Sequence, residues 1–292
     1  GKKTLTGAVA EEFNRLKGTT ETKTPRMGGI VIWGSVFLTV LLIYSVSHLW
    51  PQTIFAELDY LSRSQTWIPL AAMAVGAALG FLNDFYDVTH RRDGVPLRVR
   101  LIIIITLAGA IGWWFYHKLD VSAVTIPFSG PLELGWLIIP FFICLTIALY
   151  ASGVIDGIDG LSGGVFASIF ISYAGIAFVQ AQYDIAALSA TIAGAVIAFL
   201  WYNIPPARFW MTETGSMALT LTLAVIVFMT DELGGGNGIA LLFIAGLPLI
   251  ATVGSNVLQV TYRRLTGQKL FRIAPLHHHF EAIGWPSYKV TM

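Results

Sequence analysis

The fold is decided by the stretch WIPLAAMAVGAALGFLNDFYD, Trp67–Asp87, in which an apolar run ends abruptly in a polar cluster. The apolar part, Trp67–Leu82, carries no charged residue. With a few flanking residues it is long enough to cross a bilayer as a helix, which takes about 17–25 residues. Asp84 and Asp87 follow at the i, i+3 spacing that places two side chains on one helix face. The stretch therefore predicts a membrane-spanning helix that carries acidic side chains to one membrane surface.

The same alternation of apolar runs and polar clusters extends over the whole chain. Only 12% of the 292 residues are charged, whereas soluble domains carry roughly 25%. The alternative, a soluble protein with eight fully buried helices, fits this composition poorly. We therefore predict an all-α, polytopic membrane helix bundle that forms one domain, residues 1–292. The eight apolar segments are Gly28–Trp50, Trp67–Leu82, Leu97–Tyr116, Trp136–Ser152, Leu161–Gln180, Ile185–Tyr202, Met217–Thr230 and Ile239–Tyr262.

Four polar clusters lie between these segments, and counting the crossings places all four on the same side of the membrane. Charged residues close to a bilayer are costly and persist mainly where they line a polar cavity. Acids, amides and histidines gathered at one surface predict a site for a polar, phosphorylated substrate. The clusters are Asn83–Asp87, Asp156–Gly160, Asn203–Ser216 and His277–His279.

The orientation follows from the basic residues. Of the 18 lysines and arginines, all except Arg63 and Lys118 fall on the side that holds the four clusters. Cytoplasmic loops carry an excess of Lys and Arg. We therefore expect the clusters and both chain ends to face the cytoplasm.

Two features are assigned to the outer face. The sequence from Val121 to Gly135 predicts a small β-hairpin, because strand-like flanks enclose the turn-rich Ser129–Pro131. Asp231–Gly238 is rich in glycine and is interpreted as a flexible connector. The single cysteine, Cys144, lies within an apolar segment, which excludes an intrachain disulfide.

The clusters combine groups that suit phosphate chemistry. Asp156 and Asp159 repeat the i, i+3 spacing, and adjacent glycines allow close backbone approach. Glu213 precedes Thr214–Ser216 at the start of the seventh segment, where backbone N–H groups of a helix favour an anion. A few carboxylates together with substrate phosphates form the ligand set that Mg²⁺ prefers.

Simpler interpretations stay open for each cluster. Carboxylates such as Asp87 are often solvated helix caps, and Asn203–Pro206 could be only a helix stop. His277–His279 could suggest zinc, but three neighbouring side chains do not easily converge on one metal, and no thiol accompanies them. A basic patch at the membrane surface is another possibility. Histidines that bind phosphate fit the cytoplasmic position best, since imidazole can donate hydrogen bonds or carry charge near neutral pH.

The ordered set of motifs resembles a known superfamily, the polyprenyl-phosphate N-acetylhexosamine-1-phosphate transferases. The resemblance rests on Thr24–Gly29, Gly80–Asp84 and Asp156–Leu161. Within that superfamily, Ala274–Glu281 followed by Gly284-Trp285-Pro286 resembles the phospho-N-acetylmuramoyl-pentapeptide transferase (translocase I) family. The motifs run in order from about residue 23 to the end of the sequence.

The resemblance implies an Mg²⁺-dependent phosphoglycosyltransferase of peptidoglycan synthesis. Its substrates would be UDP-MurNAc-pentapeptide and undecaprenyl phosphate, and its products lipid I and UMP. It also implies a bacterial inner-membrane enzyme, a possible homodimer, and no role in binding nucleic acid. Members of the family have ten transmembrane helices, so we expect one further helix before residue 1 and one after residue 292, the domain being truncated at both ends.

The resemblance also assigns roles to individual residues. The catalytic residues would be Asp84, Asp156, Glu213, His277 and His278. The substrate-binding residues would be Asn83, Arg100, Asp159, Asn203, Trp210 and His279, with Trp210 stacking on uracil. Glu213 and Asp84 would bind the metal.

The sequence departs from the family pattern at several of these positions. The departures are Asn83 for an aspartate, Asp87 for a lysine, Arg100 for a lysine, Gly153 for an asparagine, Thr212-Glu213 for Gly-Asp, and Glu21 for a lysine. Asn83 matters most, because an amide cannot be the base that deprotonates the lipid phosphate. Direct attack by an already anionic phosphate needs no base, and we prefer it to a covalent intermediate on Asp84.

Three competing interpretations have different consequences. A close relative could transfer another UDP-N-acetylhexosamine phosphate, such as that of UDP-GlcNAc. A catalytically silent homologue could bind only lipid carrier or nucleotide, which Asn83 and Gly153 would favour. A transporter is disfavoured, because the acids lie at one surface and not near the membrane midplane.

Overall fold

The computed structural model describes residues 24–52, 59–61, 66–90, 94–231 and 233–291. Glu21 and several of the basic residues counted above lie outside these ranges, so the structure does not describe them. The basic residues are Lys2, Lys3, Arg15, Lys17, Lys23, Arg63, Arg91 and Arg92.

Within the described ranges the regular secondary structure is helical apart from one small sheet, as the all-α prediction requires. The helices that precede the sheet are α1 (Gly29–Leu49), α2 (Trp67–His90) and α3 (Leu97–Lys118). The strands are β1 (Ala123–Ile126) and β2 (Gly130–Glu133). The long helices that follow are α4 (Ile138–Ser152), α5 (Leu161–Val179), α6 (Tyr183–Asn203) and α7 (Thr212–Met229). The chain continues with α8 (Gly238–Ala245), α9 (Leu247–Thr266), α10 (Leu276–Ala282) and α11 (Ser287–Thr291).

All eight predicted apolar segments are helical. Among the described residues, α1 to α7 are each part of a helix long and apolar enough to cross a membrane. The eighth segment differs from the expected single helix, because α8 and α9 meet at a bend of 76°. Gly246 lies at the break and Pro248 follows in the first turn of α9. A proline there has no N–H to donate, and its ring would clash with the carbonyl four residues earlier in a continuous helix.

Helix α7 is the centre of the bundle. Every residue from Thr214 to Met229 is buried, and α1, α2, α4, α5 and α8 all contact this helix. A helix that is apolar on all sides is stable only where other helices cover every face. The N-terminal end of α7 is therefore enclosed by its neighbours, and the polar clusters converge at this end.

Glycines allow the neighbouring helices to approach α7 very closely. A Cβ atom at Gly80 of α2 would lie 2.2 Å from the backbone oxygen of Glu213, and one at Gly76 would lie 2.6 Å from that of Met217. A Cβ atom at Gly29 of α1 would lie 2.1 Å from the backbone nitrogen of Gly215. Small residues at helix contacts are the usual means of tight packing inside membranes. The position of the first turn of α7 thus depends on glycines in two other helices.

The predicted hairpin is confirmed at the opposite end of the bundle. Strands β1 and β2 pair antiparallel, with Ala123 opposite Glu133 and Ile126 opposite Gly130. The described part of the loop after α7 is tied to this hairpin and is not simply a flexible connector. Buried Asp231 accepts hydrogen bonds from the backbone N–H of Thr125 (2.9 Å) and of Ile239 (3.1 Å). Burial raises the pKa of Asp231, and these backbone donors oppose that shift.

The close contact of α2 with α7 predicts a sharp response to one methyl group. Gly80→Ala places a Cβ against backbone that cannot move aside, and we expect the free energy of unfolding to fall by about 1–3 kcal/mol or more. Gly34→Ala in α1 is the matched control, because a Cβ there meets no atom within 4 Å. Circular dichroism during an SDS titration of the protein in micelles measures both variants. An unchanged unfolding free energy for Gly80→Ala would contradict the packing described for α2 and α7.

Candidate functional site

Asp84 caps the central helix from a neighbouring one. It lies near the end of α2, and only 5% of the residue is exposed. Its Oδ2 accepts hydrogen bonds from the backbone N–H of Thr214 (2.8 Å), from Thr212 Oγ1 (2.6 Å) and from Thr214 Oγ1. The residue before α7, Met211, provides no side-chain cap. A carboxylate at a helix N-terminus is favoured by the helix dipole and by the unpaired N–H groups.

Asp156 binds the same turn from the other side. Its Oδ2 accepts the backbone N–H of Thr212 at 2.7 Å, and its Oδ1 accepts Ser162 Oγ at 2.6 Å. Two predicted catalytic acids, Asp84 and Asp156, therefore meet at one residue. Thr212 itself has a φ of 55°, in the left-handed region that β-branched residues rarely adopt. A glycine, which the family resemblance places here, would take that conformation without strain.

Glu213 is paired with the predicted cleft cation. Arg100, in the first turn of α3, donates from Nη1 to Glu213 Oε1 at 2.9 Å. The Arg100 side chain is 15% exposed and that of Glu213 is 38% exposed. The pair lies beside Asp84 and Asp156, so a guanidinium offsets part of the negative charge, and Glu213 stays accessible from water.

Asp159, Asn203 and Trp210 hold two loops together. Asp159 accepts the indole N–H of Trp210 at 3.0 Å and the backbone N–H of Ala207 at 3.0 Å. Asn203 accepts the N–H of Gly160 at 2.9 Å and donates to the carbonyl of Phe209 at 3.1 Å. The loop after α6 is thereby fixed against the loop after α4. These predicted substrate-binding residues thus share a local network, and the indole of Trp210 has a fixed orientation.

Two of the three consecutive histidines face the acidic loop. His277 and His278 are buried in α10, and a Cβ atom at Gly157 would lie 2.7 Å from the Nε2 atom of each. His278 Nδ1 lies 2.8 Å from Glu281 Oε2, which orients its imidazole. His279 lies apart from them, with its Nδ1 against the N–H of Arg272 at 3.3 Å. The structure therefore brings His277 and His278 to Gly157 and leaves His279 on another side of the short helix.

Asn83 and Asp87 have partners that the sequence did not indicate. Asn83 Oδ1 accepts the N–H of Val95 at 2.9 Å, and its Nδ2 is directed at Asp84 Oδ1 at 3.4 Å. The amide therefore bridges the loop before α3 and the capping carboxylate. Asp87, interpreted as a solvated cap, forms an ion pair with Arg26.

The donor set is compatible with Mg²⁺ that is partly held by substrate. No three His, Cys, Asp or Glu side chains in the described part of the chain form a ready-made metal cluster. Mg²⁺ is often held by only one or two carboxylates together with substrate phosphates and water. Glu213, which is accessible and carries one hydrogen bond from Arg100, fits such a ligand. Asp84 could contribute only through Oδ1, since Oδ2 already accepts three hydrogen bonds.

A large apolar cavity leads away from the site. It has a volume of about 850 Å³ and lies between α4 and the bent pair α8–α9. Its lining extends from Thr125–Pro127 of the hairpin to Ser152 and Gly254. Ser152 is next to Gly153, where a Cβ atom would lie 3.4 Å from Ser216 in the first turns of α7. The cavity thus spans the depth of the bundle and ends near the polar groups, a feature that sequence periodicity does not reveal.

Comparison with known proteins places this arrangement in a family. The family model described as glycosyl transferase family 4 matches residues 66–231, which include α2 to α7. The chain is 33% identical to the phospho-N-acetylmuramoyl-pentapeptide-transferase of Bacillus pumilus, over 92% of this chain and 78% of that protein. It is 35% identical to the protein of that name from Geobacillus sp., over 93% of this chain and 79% of the relative. The Listeria welshimeri protein of that name is 31% identical, over 92% and 79%.

These similarities cover the helices and the loop that carry Asp84, Asp156, Asp159 and Glu213, and they agree with the family that the sequence motifs indicated. The chain is therefore a multi-pass membrane transferase of glycosyl transferase family 4, and it belongs to the phospho-N-acetylmuramoyl-pentapeptide transferase family.

Proposed function

We propose that the protein transfers phospho-MurNAc-pentapeptide from UDP-MurNAc-pentapeptide to undecaprenyl phosphate, forming lipid I and releasing UMP. The convergence of Asp84, Asp156 and Glu213 on the first turn of α7 carries the proposal. It unites three acids from separate segments at one membrane face, in a chain whose relatives bear the name of this reaction. The structure and the relatives together support this transfer more strongly than a transport or binding role.

The site is proposed to face the cytoplasm of a bacterial inner membrane. The described basic residues support this orientation, since Arg26, Arg98, Arg100 and Arg208 lie at the end of the bundle that holds the site. Lys118, at the end of α3, lies at the opposite end. A nucleotide-linked sugar is a soluble substrate, and it would reach the acids from the water on this side. A homodimer remains an expectation from the resemblance alone.

The apolar cavity supports a polyprenyl acceptor. Its wall is almost entirely aliphatic and aromatic, with Phe141, Leu145, Leu242 and Val253 among the lining residues. An isoprenoid chain placed there would exchange lipid contacts for contacts with an equally apolar protein wall, so it could be accommodated without burying a polar group. Its phosphate would reach the polar groups beyond Ser152. We therefore assign the cavity to part of the lipid tail and the adjoining cluster to its phosphate.

Mg²⁺ is proposed as the cofactor, with Glu213 as its principal protein ligand and Asp84 as a secondary one. When bound, the metal would neutralise charge that develops on the diphosphate. Arg100 holds the Glu213 carboxylate in place. Asp156 holds the turn that precedes it, through the N–H of Thr212.

The proposed reaction is direct displacement. A lipid phosphate oxygen attacks the β-phosphorus of the donor, and the bond from that phosphorus to the oxygen bridging the two phosphates breaks. UMP leaves with the electron pair. The attacking phosphate is already anionic near neutral pH, so Asn83 in place of an aspartate does not block this route. His277 and His278 lie within reach of the acidic loop and are proposed to donate hydrogen bonds to phosphate oxygens.

The hydrogen bonds of Asp84 weigh against a covalent intermediate on that residue. A nucleophilic carboxylate oxygen would have to give up its hydrogen bonds in order to attack phosphorus. Oδ2 accepts three of them, two from side chains and one from the first turn of α7. Asp84 is therefore proposed to act by positioning Glu213 and by electrostatics, in addition to any metal contact through Oδ1.

Release of UMP tests the function. The protein in nanodiscs, with undecaprenyl phosphate and Mg²⁺, is expected to release UMP from UDP-MurNAc-pentapeptide and not from UDP-GlcNAc. Turnover of UDP-GlcNAc would assign the chain to the related GlcNAc-1-phosphate transferases. Absence of turnover with nucleotide binding intact would indicate a silent homologue.

Substitution of Glu213 is the most direct test of the proposed Mg²⁺ site. Glu213→Gln keeps an oxygen that accepts from Arg100 but removes the charge, and Glu213→Ala removes both. We expect both variants to lose about a hundredfold or more in kcat and to need higher Mg²⁺ concentrations. Steady-state UMP release against Mg²⁺ concentration measures this. A Gln variant with wild-type activity and Mg²⁺ dependence would remove Glu213 from the metal site.

Gly157 offers a test of the histidine placement. In Gly157→Ala the atoms nearest to the added methyl group are the ends of two imidazoles, which can shift without moving the backbone. We therefore expect kcat/KM to fall about ten- to hundredfold while the unfolding free energy changes little. Gly164→Ala in α5 is the matched control, since its Cβ would meet no atom within 4 Å. Wild-type kinetics for Gly157→Ala would show that His277 and His278 are not held where catalysis needs them.

A further inference from the structure

The segment before α1 lies along the loop that leads into α7. The N–H of Trp210 donates to the carbonyl of Pro25 at 3.0 Å, and the N–H of Gly28 donates to the carbonyl of Trp210 at 2.8 Å. The N–H of Met27 donates to Thr212 Oγ1 at 3.1 Å. The backbone on either side of Arg26 is therefore fixed against the turn that Asp84 and Asp156 hold. Arg26 is exposed, but its backbone is held in place.

The side chain of Arg26 is fixed as well. Its Nη1 forms an ion pair with Asp87 Oδ2 on α2. Asp87 follows Asp84 by three residues, so the two carboxylates share a helix face and are separated by about 4.5 Å along the helix axis. The guanidinium is thereby held about one helical turn beyond Asp84, at the edge of the proposed catalytic site.

Stability alone does not account for this pair. The Arg26 and Asp87 side chains are 40% and 34% exposed, and ion pairs at that exposure contribute about 0–1 kcal/mol. The charge balance of the site suggests another role. Asp84, Asp156, Asp159 and Glu213 make it acidic. The Arg100 side chain pairs with Glu213 and is only 15% exposed, so Arg26, at 40%, is the more accessible guanidinium. Two phosphorylated substrates must nevertheless approach these carboxylates.

An arginine can satisfy both requirements at once. Its planar guanidinium carries five N–H donors, so one edge can bind a carboxylate and the others can bind phosphate oxygens. We infer that Arg26 is a substrate-binding residue that contacts a phosphate group, and that Asp87 positions it. The inference rests on the proposed function and adds a residue to that site. The phosphate belongs either to the diphosphate of the nucleotide donor or to the lipid acceptor.

Kinetics with each substrate varied in turn distinguish the two sources. Arg26→Ala is expected to raise the KM for one phosphate substrate about ten- to hundredfold, the usual effect of losing a hydrogen bond to a charged group. The KM for the other substrate and the kcat should stay within about threefold. Arg26→Lys should recover part of the loss. Arg264→Ala, an exposed cation in the last turn of α9, is the matched control and should leave both KM values unchanged.

Asp87→Asn tests the positioning. Asp87→Asn removes the charge that pairs with Arg26 but keeps an oxygen that can accept its hydrogen bond, so a smaller rise in the same KM is expected. The double variant with Arg26→Ala should be no worse than Arg26→Ala alone. Unchanged KM values in Arg26→Ala would overturn the inference, and so would a loss confined to the unfolding free energy.

The proposed function can fail independently of this inference. If the wild-type protein releases no UMP, the affinities for UMP and for undecaprenyl phosphate are measured by equilibrium titration of the same variants. Weaker binding of either by Arg26→Ala, with Arg264→Ala unchanged, would still assign a phosphate to Arg26. Equal affinities would overturn it.

Discussion

The close contact between α2 and α7 is the constraint on which the rest of the site depends. Gly76 and Gly80 have no side chains, so the backbones meet and α2 can continue past the start of α7. Asp84, one turn after Gly80, then reaches the N–H of Thr214. Any wider spacing would separate the carboxylate from the helix end. The N–H of Thr214 would then lack its partner, at a cost that water could not relieve, because Thr214 is fully buried.

The site is organised by acids that mostly bind the protein itself. Asp84 and Asp156 fix the turn at Thr212, and Asp159 fixes Trp210. Groups held in this way need not reorganise when charge develops on a substrate. Such preorganisation is the main source of electrostatic catalysis in enzymes. Thr212 adopts its left-handed backbone conformation within this network, and its hydroxyl donates to Asp84.

The sequence predicted the parts of the structure that bilayer thickness and charge distribution control. Eight apolar runs became helices, and the polar clusters met at one face because each crossing reverses the chain direction. The pairings across the bundle were not predictable. Asp87 and Arg26, or Asp231 and Thr125, are brought together by the packing of distant elements, and no local pattern records that. Pro248 is a local signal for the bend at Gly246. The length of the apolar segment Ile239–Tyr262 nevertheless favoured a single helix. The roles of Asp159 and Asn203 in joining loops likewise depend on the neighbouring backbone.

Asp231 also fixes one end of the apolar cavity. The residues to which it bonds, Thr125 on the hairpin and Ile239 on α8, both line the end of the cavity that lies farthest from the site. A buried carboxylate therefore joins β1 to α8 at that end. The side walls include Phe243 and Ile250, both of which are exposed. The polyprenyl acceptor proposed above would then pass in sideways from the surrounding lipid and stay in the bilayer from arrival to departure.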